Sequence, residues 1–150
     1  MNKSIRIFAM QRFIGLVVLG LVFAGASLAQ TPARGTRVVL KGYDPVAYFT
    51  DSKARKGLED ISFDFDEARY LFSSAKNRDV FSKNPDQYMP QFPGFCTGGL
   101  ANGMKAEANP EIFMIVNGKL YTFASQRAKD AVQADPTSIA RAEKNWREKK

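Results

Sequence analysis

Histidine is missing from the chain altogether. That excludes Ser–His and Cys–His nucleophile pairs, His-ligated zinc or copper, and imidazole acid–base work. Cysteine occurs once, at Cys96. One cysteine cannot close an internal disulfide, so packing has to supply the stability. Neither a glycine-rich phosphate loop nor a stripe of basic residues interleaved with aromatics is present. Nucleic acid is therefore not an expected partner. Long apolar runs are also lacking. The uncharged segment 13–29 covers 17 residues, against the ~20 a spanning helix needs.

That segment instead reads as part of a secretory signal. Lys3, Arg6 and Arg12 precede it, its centre is apolar, and Ser27-Leu28-Ala29 ends it with small residues at the cleavage positions. The flanks predict a signal peptide over 1–29, cut after Ala29, and a periplasmic or secreted product. An uncleaved anchor is the alternative. With cleavage no stable membrane span remains. Residues 30–150 would then carry 19 positive and 15 negative charges, a mild net +4. Much of the excess sits near the C-terminus, mixed with Glu143 and Glu148, as expected of a solvated helix face.

Residues 30–37 read as a flexible lead-in and 38–149 as one domain. Asp44 before Pro45 signals a helix start, with turns over 45–49. Ile61-Ser62-Phe63-Asp64-Phe65-Asp66 alternates strictly, which predicts a half-buried strand with Asp64 and Asp66 outward. Residues 69–72 return as a second strand. Ser74 caps a helix over 75–84 with Val80 and Phe81 inward, and Pro85 ends it. A strand over 111–116 meets Asn117-Gly118, a strong two-residue hairpin signal, and 119–123 return. Ser125 caps a helix to Asp135, and Pro136 ends it. A last helix over 137–149 has Ile139, Ala142 and Trp146 on one face.

The second half repeats the first. Tyr121 minus Tyr70 is 51, and the same offset takes Phe72 to Phe123, Ser74 to Ser125, Asp79 to Asp130 and Pro85 to Pro136. The repeat units span about 61–88 and 112–136. A hairpin with one helix cannot bury its own apolar face, so two such units have to pack together. The expected fold is α+β: two β-hairpin–helix units in one small domain.

Between them lies Pro90-Gln91-Phe92-Pro93-Gly94-Phe95-Cys96-Thr97-Gly98-Gly99. Its prolines and glycines predict neither helix nor regular strand. As the connector, it is expected where the units meet. Its thiol is buried, reactive, or paired with something outside the chain. Met89, Cys96 and Met104 fall close together in sequence and would form a soft, copper(I)-type set. Tyr43, Asp44, Tyr48, Tyr70 and Tyr88 could line a pocket with polar tips; the alternative is tyrosines with buried rings and hydroxyls at the edge of the core.

Gly42-Tyr43-Asp44-Pro45-Val46-Ala47-Tyr48-Phe49, Tyr70-Leu71-Phe72-Ser73-Ser74, Asn77-Arg78-Asp79 and Asn84-Pro85-Asp86-Gln87-Tyr88 resemble the YHS domain family. Gly94-Phe95-Cys96, Asn117-Gly118-Lys119-Leu120-Tyr121 and Asn145-Trp146 are similar to its longer, exported form. The resemblance covers about 40–146. Its short, metal-associated relatives carry cysteines where this chain has Ala47 and Ser73. Two functional readings remain. One is an exported, non-catalytic module binding a metal ion, small molecule or partner through Tyr43, Asp44, Tyr48, Tyr70 and Cys96, with no catalytic residues. The other is a thiol-dependent redox protein or enzyme using Cys96.

Overall fold

In the computed structural model the first element is β1 (Arg37–Val38), and the described residues run from 36 to 148. The expected signal peptide and most of the lead-in lie outside that range. Arg37, expected within the lead-in, is held in β1 by parallel pairing to Ala68. A 3₁₀ turn over Val39–Gly42 follows, and Gly42 takes φ +81. The short helix α1 (Ala47–Thr50) begins two residues after Pro45.

β2 (Leu58–Phe65) and β3 (Ala68–Phe72) form an antiparallel hairpin, and β1 flanks β3 on its other side. The alternation in β2 turns Ile61, Phe63 and Phe65 towards the core. The opposite face puts Asp64 across from Arg69, which donates to it at 2.7 and 2.8 Å. β2 starts earlier than its alternation suggests, because a register shift between Leu58 and Ser62 interrupts the pattern. α2 (Ala75–Lys83) is capped by the Ser74 hydroxyl, which accepts from the Asn77 amide at 3.2 Å. Pro85 opens the single turn α3 (Pro85–Tyr88).

The second half has the same order. β4 (Asn109–Val116) and β5 (Lys119–Phe123) pair through Asn117 and Gly118, at φ 50 and 72. That left-handed pair is what an Asn-Gly hairpin turn requires. α5 (Gln126–Ala134) is capped by Ser125, and α6 (Thr137–Glu148) closes the described chain. β4 begins and ends 51 residues after β2, as β5 does after β3 and α5 after α2.

The cysteine stretch corrects one expectation. Residues 97–101 form a short helix, α4 (Thr97–Ala101), despite Gly98 and Gly99. The physical reason is proximity: a Cβ built on Gly98 would lie 3.3 Å from the Ala128 carbonyl oxygen of α5. Glycine lowers helix propensity, and here it permits the close approach of α4 and α5. Ahead of α4, Pro90 and Cys96 bridge to Leu120 and Thr122, so the stretch runs parallel to β5. It thus stands beside the second hairpin as β1 stands beside the first.

Two apolar clusters result. The first gathers Val39, Leu40, Val46, Tyr48, Tyr70, Phe72 and Phe81. The second gathers Phe92, Cys96, Leu100, Tyr121, Phe123, Val132 and Ala142, with Trp146 against it. They join through β4 and β5, whose Leu120 belongs to the first cluster and whose Phe113 ring meets Tyr48 at 4.7 Å. Of the connector, Pro93 accepts from Arg37 and Gly94 lies against Leu40, while Cys96 turns into the second cluster. The described domain is mixed α+β, with two small sheets.

Candidate functional site

Asp44 is wholly buried, yet each carboxylate oxygen is supplied with donors. Oδ1 accepts from the amides of Val46 at 2.9 Å and Ala47 at 3.4 Å, which is the cap its position predicts. Oδ2 accepts from the Ser73 amide at 2.9 Å, the Ser73 hydroxyl at 2.6 Å and the Asn77 amide group at 2.7 Å. A buried carboxylate with this many donors ties α1 to the β3–α2 corner. Its lone pairs are committed within the protein, which leaves little for a ligand.

Among the described residues, Tyr43, Tyr48, Tyr70 and Tyr88 each have separate neighbours. Tyr48 is buried and donates to the Pro110 carbonyl at 2.9 Å, across the two halves. Burial pushes its hydroxyl pKa well above the usual phenol range. Burial likewise pushes Tyr70 up to about 12, with its ring 4.7 Å from that of Phe81. Tyr43 donates to Glu111 at 3.0 Å, and that bond raises its pKa. Lys56 stands over its ring at 4.8 Å. Tyr88 packs edge-on against Phe49 at 5.4 Å. The hydroxyls of Tyr43 and Tyr48 reach the second half, and the rings of Tyr70 and Tyr88 pack on aromatic neighbours.

Cys96 is different. It is 2% exposed, but it borders a pocket of ≈ 440 Å³ between α4, α5 and the start of α6. Its Sγ accepts from the Gly99 amide at 3.3 Å. Among the described residues nothing accepts from its S–H. The methyls of Ala124, Ala128, Ala131 and Val132 line the same space. Its polar rim is formed by Asp135, Ser138 and Arg141, of which Ser138 is buried and the other two half-exposed. Of the expected soft set, Met104 lines this pocket and is 60% exposed, whereas Met89 packs against the first cluster. The structure therefore brings Cys96 and Met104 to one cavity and leaves Met89 elsewhere. These two sulfurs are what the pocket offers a soft ion. Among the described residues, no group of three or more His, Cys, Asp or Glu side chains could hold a metal.

Ala124, Ala128 and the rim residues escaped the sequence reading. A signal for two of them was present: the offset of 51 takes Ser73 to Ala124 and Asn77 to Ala128. The rim charges are local: Asp135 accepts from the Thr137 amide at 3.1 Å at the start of α6, and Arg141 lies on the same helix, six residues on.

That rim is a closed electrostatic unit. Arg141 donates to Asp135 at 2.9 Å, to the Thr137 hydroxyl at 2.8 Å and to the Ser138 hydroxyl at 2.8 Å. The Thr137 hydroxyl and then the Arg141 guanidinium hold the Asp135 carboxyl down at about 2, against an ordinary 3.8. A folded-state pKa below the unfolded one stabilises fully above the ordinary value, and that contribution is lost as pH falls towards the lower one. Acid melting between about pH 4 and 2 should therefore flatten in Asp135→Asn. Asp51 and Asp64, also lowered by their arginine partners, keep part of the slope. A slope identical to wild type would refute the assignment.

Comparison of the chain with known protein families, curated proteins and solved structures finds no match.

Proposed function

We propose that this chain is an exported binding module of the YHS type, built from two copies of one hairpin–helix unit. Its ligand site is the pocket over Cys96 in the second copy. The observation that carries this reading is the pocket itself: ≈ 440 Å³ beside one thiol, with alanine and valine methyls on one wall and Asn102, Asp135, Ser138 and Arg141 also lining it, while Tyr43, Asp44 and Tyr48 are bonded within the protein. Small-molecule sites have this size and this mostly apolar lining with few polar groups. Support for duplication comes from equal element spacing and from matching Ser74 and Ser125 caps, each at 3.2 Å. Support for export comes from the charge and small-residue pattern of 1–29, and a mature N-terminus at Gln30 is its direct check.

The thiol-dependent alternative is favoured by one contact. The Gly99 amide donates to Sγ at 3.3 Å. N-ethylmaleimide separates the readings. A binding pocket should admit the reagent to native Cys96, at a rate unaffected by mild urea. An acid-shifted profile would favour thiol chemistry instead. Labelling that keeps step with global unfolding would mean that the pocket admits nothing, and would overturn the reading.

A further inference from the structure

Cys96 and Asp44 hold the same place in their respective halves. The Asp44 amide donates to Arg55 O at 2.8 Å, and the Cys96 amide to Ala106 O at 2.8 Å. One bond earlier, Gly57 donates to Gly42 O and Ala108 to Gly94 O. Gly42 and Gly94 share φ +81. The acceptors Gly42 and Gly94 are 52 residues apart, and their donors Gly57 and Ala108 are 51 apart. The backbone match thus extends through the stretch before each hairpin. Each residue also caps a short helix, Asp44 through Oδ1 and Cys96 through Sγ.

What differs is the space above them. In the first half, Ser73 and Asn77 reach over and close the site with three bonds to Oδ2. Their counterparts 51 residues on are Ala124 and Ala128, both lining the pocket. The cavity stands where the other half keeps a hydroxyl and a carboxamide. Cys96 borders that volume, and among the described residues its S–H has no acceptor.

The walls also select by charge. Among the described residues, Asp135 and Arg141 are the only ionisable side chains lining the cavity besides Cys96, and they are paired to each other at 2.9 Å. An anionic ligand would compete with Asp135 for Arg141, and a cation with Arg141 for Asp135, in a pair that is half-exposed. Neither exchange gains a charge pair, and both desolvate the ligand. A methyl-lined floor gains instead from apolar surface removed from water.

We infer that the Cys96 pocket binds a small neutral molecule, with an aromatic or aliphatic body on the alanine floor and any polar end at the Ser138 rim. This rests on the pocket being open, as proposed above. The test compares benzyl alcohol with benzoate and benzylammonium, three probes with one ring and different charge. Binding is read as protection of native Cys96 from N-ethylmaleimide and as amide shifts at Gly98, Ala124 and Ala128. Benzyl alcohol should protect at concentrations at least tenfold below those of either ion. Ala124→Ser/Ala128→Asn, which rebuilds the first half's closure, should abolish protection. Should that variant fail to fold, Ala131→Phe fills the same space from another lining position and leaves Ala124 and Ala128 unchanged. Arg141→Gln leaves Asp135 unpaired and should bring benzylammonium up to the level of the alcohol. Equal or better protection by an ion in wild type would overturn the inference. So would free thiol labelling that no neutral probe slows, although the open pocket would then survive. Labelling only on unfolding would remove both.

Discussion

Asp44→Ala is expected to cost about 4 kcal/mol of folding stability, enough to leave a domain of this size marginal. Alanine leaves five donors facing a gap: the amides of Val46, Ala47 and Ser73, the Ser73 hydroxyl and the Asn77 amide group. Hydrogen bonds to a charged acceptor are worth about 1.5–3 kcal/mol each, and water entering the gap recovers part of that sum. The melting temperature should fall by about 20 °C. Asp44→Asn keeps the volume and one oxygen but turns an NH₂ towards donors, so about half the loss is expected. Cys96→Ala, at the matching place, forfeits one weak bond to sulfur and should cost only about 1 kcal/mol. Urea unfolding measures all three. An Asp44→Ala loss below that of Cys96→Ala would mean that the network does not hold α1 in place.

Asp44 also marks where sequence reading stops. Its cap role was legible, because Asp-Pro ahead of an apolar run carries local instructions. Its second oxygen is bound 29 and 33 residues away, and no local rule predicts that. The same divide runs through the chain. Ser74, Ser125, Pro85, Pro136 and Asn117-Gly118 act on their neighbours, and the elements they bound appeared where expected. α4 did not, since its glycines answer to Ala128 on another helix. The similarity of the two halves was readable only from the hairpins onward. Ahead of them the offset slips by one residue, and the identities left there at 52 are Gly42 with Gly94, Lys53 with Lys105 and Ala54 with Ala106. The pocket was hidden for a related reason. Alanine and valine at 124, 128 and 132 read as ordinary helix residues, and only the larger Ser73, Asn77 and Phe81 in the other half make them look small.

That contrast in size sets the second large effect. Phe81→Ala should cost about 4 kcal/mol, and Val132→Ala, its counterpart 51 residues on, about 1 to 2. Phe81 is wholly buried, with the rings of Tyr70, Phe72, Phe63 and Phe65 at 4.7, 5.3, 6.1 and 6.3 Å. Removing it opens a closed cavity among aromatic neighbours that cannot collapse. Val132 already borders the Cys96 pocket on one side and a second, smaller one beside Met114 and Ile115 on the other. Its methyls give way onto space that exists, so mainly the transfer part of the cost applies. Val132→Ala should also widen the pocket and quicken Cys96 labelling, whereas Phe81→Ala should change labelling only in proportion to global unfolding. If Val132→Ala proves as costly as Phe81→Ala, the second half is as tightly filled as the first. The thiol would then face packed side chains, and a ligand would have nowhere to enter.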